Sequence, residues 1–322
     1  MNQALGHRIE KDTSSPTLPS LSTLDRLEAE AFDILWTTRA ELPPAGIMFS
    51  AGKDSACVAH LAQKAFRTSS GGLEFPFSLI HYDSGANFPE VLHFREETAR
   101  KLGADLKVFH LPSAAAEGIV TAPLDTPGDP GNVRGLVQLI NYSARSLDVR
   151  ALIGGGRRDE ELVRAKERIF SLRDSAGQWD PHAQRPEPWA LYNTTVRAGE
   201  HMRVFPISNW TERNVWEYIA REEIALPSIY YAHDRDVVRR NGAWLAVFED
   251  TPIADHERIE RRVVRCRTVG DRHTTGFIES EASTPTEVLD EILRARTSER
   301  AGRVEDGGSG TDMESRKRLG WP

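Results

Sequence analysis

Between residues 45 and 160 short apolar runs alternate with helical segments. "GIMFS" is followed by "DSACVAHLAQKAF", "FSLIHYDSG" by "PEVLHFREETARKLG", and "LKVFHL" by "VRGLVQLINYSARSL", before "VRALIGGG" closes the series. The first helical segment places Cys57, Val58, Leu61, Ala62 and Ala65 on one face. Strand–helix alternation of this kind allows essentially one solution, a parallel sheet covered by helices on both faces. Ligand-binding loops in such folds gather at the carboxyl ends of the strands. Every loop that follows a strand in this stretch is therefore a candidate for chemistry.

The first of these loops is "SAGKDS", residues 50–55, at a strand-to-helix junction. Small residues at Ser50, Ala51 and Gly52 let the backbone come close to a ligand. The N–H groups at the start of the following helix suit anionic oxygens, Lys53 adds a full charge, and Ser50 and Ser55 add hydroxyls. A Walker A loop is excluded, because Ile47 stands where its first glycine belongs and Asp54 follows the lysine. The motif S-x-G-K-D-S after a first strand resembles the PP-loop of the ATP pyrophosphatase superfamily. That resemblance implies an adenine-nucleotide α-hydrolase-like fold in three layers, cleavage of ATP between its α and β phosphates, and a loop that holds the pyrophosphate.

Two more turns fall at the same predicted sheet edge. "HYDSG" at 81–85 ends the second strand and brings Asp83. "GGGRRDEELVRAKER" at 154–168 follows the fourth, with Gly155, Gly156, Arg157, Arg158, Asp159 and Glu160 at a strand-to-helix turn. Arginine suits paired recognition of phosphate or sulfate oxygens, and the acidic residues suit magnesium or a ribose. A solvated helix face with pairs such as Glu160–Arg164 is the competing reading.

Together the three turns resemble the small, catalytic subunit family of bacterial sulfate adenylyltransferase, in the PAPS reductase branch of the superfamily. The likeness runs on through "AKERIFSLRD", "WDPHAQRPEPW", "RVFPISNWTERNVWEYI", "GFIES" and "TSERAGRV", about residues 24–322. It implies that ATP is the substrate with Mg2+, that sulfate is the acceptor, and that a GTP-binding large subunit is the partner; the metal ligands are not indicated. Lys53, Arg157 and Arg158 are then the expected catalytic residues. Ser50, Ala51, Gly52, Asp54, Ser55, Asp83, Gly155, Gly156 and Asp159 are the expected nucleotide-binding residues.

Three segments are expected: a flexible lead-in at 1–22, a nucleotide-binding domain at 23–225, and an irregular C-terminal extension at 226–322 that serves as a partner interface. Thr211 is the expected N-cap of the helix in "NWTERNVWEYIAREE", with Trp210 and Val215 as its staple. His182 and His201 read as loop residues, while His81 lies close to the expected nucleotide.

Composition sharpens what remains. A formal net charge of −7 provides no global basic field, so nucleic acid is not an expected partner. No apolar run reaches the ~20 residues of a membrane span. The N-terminus lacks a basic start followed by an apolar stretch, so a cytoplasmic location is expected. The two cysteines, Cys57 and Cys266, lack the setting of a reductase nucleophile, and both read as buried thiols. A reductase or a non-catalytic binding subunit therefore stands behind adenylyl transfer. A relative specialised for another oxyanion stays open, because "GDRHTTG" at 270–276 replaces the family's usual Cys-aromatic-Pro segment, and the crossover at 117–132 lacks an expected histidine.

Overall fold

The computed structural model describes residues 21–67, 75–124, 130–160, 164–240 and 242–294. The expected lead-in up to residue 20, the middle of the 117–132 crossover and the "TSERAGRV" tail lie outside them. Helix α1 (Thr23–Glu41) opens at a capping box between Ser22 and Asp25 and stops before the Pro43–Pro44 pair. Then follow β1 (Ala45–Met48), α2 (Lys53–Ala65), β2 (Ser78–Asp83), α3 (Pro89–Leu102), β3 (Leu106–His110), the short α4 (Leu111–Ala116), α5 (Pro130–Ser146) and β4 (Ala151–Ile153). Gly103, at φ 63°, ends α3 in the left-handed conformation that glycine adopts without steric cost.

The six-stranded sheet runs β3-β2-β1-β4-β6-β5, with β5 (Phe170–Arg173) and β6 (His201–Val204) completing it. All neighbours are parallel except the outer pair of β5 and β6. The order reverses at β1, where Ile47 stands opposite Leu79 of β2 on one side and Ile153 of β4 on the other. That reversal opens the crevice in which nucleotides sit in doubly wound sheets. One face is covered by α1, α2, α3 and α6 (Glu212–Glu222) and carries the main core, including Ile34, Leu35, Cys57, Val58, Phe94, Trp216 and Ile219. The other is covered by α4 and α5 through Ile80, Ile140, Ala144 and Leu152. Thr211 caps α6 with Asn214 as its box partner, and Trp210 and Val215 are both fully buried.

Three features depart from the sequence expectation. "FSLR" forms β5, because its antiparallel pairing with β6 is a tertiary contact that no local pattern announces. Among the described residues the run after β4 forms no α-helix: it turns at 158–160, and a 3-10 turn spans Arg164–Lys166. His201 is a buried strand residue of β6, not a loop residue.

The C-terminal segment is also more regular than its composition suggests. Strands β7 (His233–Arg240), β8 (Ala243–Ala246), β9 (Glu260–Cys266) and β10 (Gly276–Glu279) close into a small antiparallel barrel, followed by α7 (Pro285–Arg294) packed on α6. Its interior is filled by Val237, Val264, Cys266 and Phe277, while charged residues of β7 and β9 face outward. Among the described residues no helix is long and apolar enough to cross a membrane.

Candidate active site

The loop after β1 is shaped by its main chain. Ala51 sits at φ 60°, a region that a residue with a Cβ enters only at a cost and that recurs at functional turns. Gly52 is the N-cap of α2 and supplies no side-chain cap, so the helix start is free of a competing acceptor from that position. The two serines face each other, with Ser50 Oγ 3.2 Å from Ser55 Oγ. Gly52 N–H donates to Ser50 Oγ, and Ser55 Oγ donates to the Gly52 carbonyl.

Lys53 is buried at 1% exposure, and its Nζ donates to Asp54 Oδ2 at 3.0 Å. The other oxygen of Asp54 accepts Arg157 Nε at 2.8 Å. Arg157 is buried equally deeply on the loop after β4. One carboxylate thus ties two cations together across the β1–β4 crevice, and Asp159 and Glu160 each place a carboxylate oxygen 3.8 Å from the Arg157 guanidinium. The loops interlock at the backbone as well: a Cβ on Gly155 would lie 2.9 Å from Asp54 Cβ and 3.1 Å from the Ser55 nitrogen, so only glycine permits this approach. Such a wall of buried cations and helix-start N–H groups can hold a polyphosphate and neutralise charge as it develops.

The other residues of the third turn divide between this pair and the start of α6. The Arg158 guanidinium donates to Asn209 Oδ1 at 2.6 Å, and its side chain is one-third exposed. Asp159 accepts the N–H of Glu212, the first residue of α6, at 3.1 Å. Glu160 accepts the Arg157 N–H and pairs with Arg164 at 3.3 Å, the pair noted in the sequence but outside a helix.

Asp83 ends β2 at the same edge. Burial works to raise its pKa, but the Gly85 N–H at 2.8 Å and the Asn87 amide at 2.9 Å hold it net below the ordinary value. His81 joins this turn to the first loop: its Nδ1 lies 2.8 Å from the Phe49 carbonyl, so the tautomer with Nδ1–H is assigned by that contact. Burial lowers the His81 pKa and keeps the ring neutral. The structure therefore brings Lys53, Asp54, Ser50, Ser55, Gly155 and Arg157 into one cluster with Asp83 along the edge. Arg158 is turned toward the segment before α6, and Asp159 lies between the start of α6 and Arg157.

Two contributors come from the C-terminal segment: Tyr230, which escaped the sequence reading, and the 270–276 segment, which figures there only as a departure from the family. The Tyr230 hydroxyl accepts the Lys53 N–H at 3.0 Å from a residue 177 positions away. Asp271 accepts the Ser84 hydroxyl at 2.5 Å, and the Arg272 N–H donates to the Ala86 carbonyl at 2.8 Å. The divergent 270–276 segment thus rests on the turn beside Asp83. Neither contact leaves a local signature in the sequence. Both cysteines are buried, and burial pushes both thiols well up, away from nucleophilic use.

A family model described as the phosphoadenosine phosphosulfate reductase domain matches residues 45–277. The sulfate adenylyltransferase subunit 2 of Streptomyces lavendulae is 47% identical over 302 residues, covering 94% of this chain and 92% of that protein. The protein of the same name from Mycolicibacterium gilvum is 46% identical over 302 residues, covering 94% and 95%. Among solved structures, an FMN adenylyltransferase of Candida glabrata in complex with ATP is similar at a TM-score of 0.46 and 13% identity, with 87% of each chain covered.

Proposed function

This chain belongs to the phosphoadenosine phosphosulfate reductase domain family, and within it to the relatives named sulfate adenylyltransferase subunit 2; on that premise we propose that it transfers the adenylyl group of ATP to sulfate. An oxygen of sulfate attacks the α-phosphorus, the bond from that phosphorus to the α,β-bridging oxygen breaks, and pyrophosphate leaves with the electron pair. The products are adenosine 5′-phosphosulfate and pyrophosphate. Sulfate is already an anion at neutral pH, so no general base has to activate it. Catalysis rests on positioning and charge.

The observation that carries this reading is the Lys53–Asp54–Arg157 bridge between the loops after β1 and β4. Lys53, Ser50, Ser55 and the N–H groups at the start of α2 hold the leaving pyrophosphate, with Ala51, Gly52 and Gly155 giving it room. Arg157 neutralises charge at the α-phosphate. Asp83 borders the adenosine. Arg158 supports the loop through Asn209. Magnesium bound to the phosphates of ATP would offset their charge. Among the described residues no three His, Cys, Asp or Glu side chains converge to hold a metal by themselves, and the half-exposed carboxylate of Asp159 is the candidate to add an oxygen.

The product is a high-energy mixed anhydride, so synthesis needs a driving reaction. A partner subunit fits the "subunit 2" name of the relatives, and we propose a GTP-binding one in the cytoplasm, docking on the C-terminal extension. Measuring pyrophosphate release over a panel of oxyanions, with and without that partner, tests the whole reading. Sulfate should give the signal, and the partner with GTP should raise it. Silence with sulfate beside a signal from another oxyanion would replace the acceptor. The position of the 270–276 segment beside Asp83 makes that the one competing reading.

A further inference from the structure

The floor of the crevice holds an arginine that the sequence did not single out. Arg203 lies in β6, opposite Leu152 of β4 and Ser171 of β5, on the face covered by α5. It is fully buried. Its Nη1 lies 2.7 Å from the Met48 sulfur, and among the described residues its Nε and Nη2 have no hydrogen-bond partner. The adjacent Arg173 has the counter-charge that Arg203 lacks, although its own Nε is also without a hydrogen-bond partner among the described residues. It is equally inaccessible, but it donates to Glu167 at 2.6 Å and to Ser171 Oγ at 2.7 Å. A thioether is a weak acceptor. A guanidinium taken out of water without a counter-charge carries a desolvation penalty of several kcal/mol. Burial first, then the charge of Arg173, lowers the pKa of Arg203 to about 9. The nearby Glu167 is already engaged by Arg173.

The position of this cation matters more than its burial. Met48 is the last residue of β1, two before Ser50, and it is partly exposed. Its methyl group packs on Gly154: a Cβ there would lie 2.9 Å from Met48 Cε. Met48 therefore covers Arg203 from the carboxyl-end crevice with a side chain that has three rotatable bonds. The bare Nε–Nη2 edge is a two-donor fork matched to two oxygens of a tetrahedral anion. The 50–55 loop leads into α2 on one face of the sheet, and Arg203 lies on the other. Leaving group and acceptor on opposite sides of the β1 end is the arrangement that in-line displacement at a phosphorus requires.

We propose that Arg203 is the floor of the acceptor subsite and binds the tetrahedral oxyanion when the Met48 side chain swings aside. The identification of that anion as sulfate rests on the adenylyl-transfer reading above. The test is equilibrium binding of [35S]sulfate to the full-length chain in the presence of a non-hydrolysable ATP analogue, alongside analogue affinity and thermal melting. Arg203→Met should weaken sulfate binding by about tenfold to a hundredfold while keeping the analogue within about twofold. It should melt no lower than the wild type, because an uncompensated buried charge has been replaced by an apolar chain of similar length. Arg203→Lys keeps the charge and should retain most sulfate binding, which separates the charge from any packing effect of the methionine. Unchanged sulfate affinity in Arg203→Met overturns the proposal, as does a parallel loss of sulfate, nucleotide and stability. Sulfate binding that depends on Arg203 in a chain releasing no pyrophosphate would uphold the subsite and sink the adenylyl-transfer reading instead.

Discussion

The sheet and the barrel meet the same catalytic edge in different ways. From the sheet come two loops that interlock at backbone level, with Gly155 against Asp54 and Ser55, and a partly exposed carboxylate joining buried Lys53 to buried Arg157. From the C-terminal segment come contacts to the rim: the Tyr230 hydroxyl on the Lys53 N–H, and residues 271–272 on the 84–86 turn. The difference separates grip from trim. The sheet supplies the paired charges. The barrel side supplies single hydrogen bonds that steady a loop already built.

The comparison can be broken by mutation, and the sheet side should show the larger effects. Lys53→Ala removes one transition-state stabiliser, expected to cost ~3 kcal/mol and so lower turnover by about two decades or more. Near-normal turnover in a steady-state assay would move the pyrophosphate grip elsewhere. Asp54→Ala removes the carboxylate that Lys53 and Arg157 share, while Asp159 and Glu160 remain near Arg157, and should destabilise the fold by about 1–3 kcal/mol in chemical denaturation. A change within the error of that measurement would mean the triad is not the clamp between the two loops. Tyr230→Phe deletes one hydrogen bond and keeps the ring packing, so a loss of about 1 kcal/mol is expected. Its effect on turnover should stay within about an order of magnitude. A Tyr230→Phe variant as inactive as Lys53→Ala would erase the distinction between the two regions.

The same division explains what could be read in advance. The parallel sheet was legible because its elements alternate locally, and the PP-loop because its residues are contiguous and chemically unusual. The turn at Asp83 and the cluster at 154–160 followed from knowing where strands end. The barrel was not legible because its strands, "HDRDVVRR" and "ERRVVRC", carry arginines, some exposed and one, Arg265, buried against Glu291, that mask a short apolar alternation, and its closure is wholly a tertiary pairing. Strand β5 was hidden for a related reason, since it exists only through its pairing with β6. Arg157 and Arg158 read alike in sequence, yet Asp54 draws one into the crevice while Asn209 draws the other out. Tyr230 and Arg203 lie far along the chain from the loop they adjoin, where no spacing rule reaches.

The most direct measurement follows both ends of the bond that breaks. The chain and its partner subunit are incubated with γ-32P-labelled ATP and 35S-labelled sulfate, and the products are separated. The account predicts 32P in pyrophosphate and 35S in adenosine 5′-phosphosulfate in equal amounts, with both lost in Lys53→Ala. Label released as orthophosphate with no 35S bound to adenosine would place cleavage at the wrong bond and contradict it.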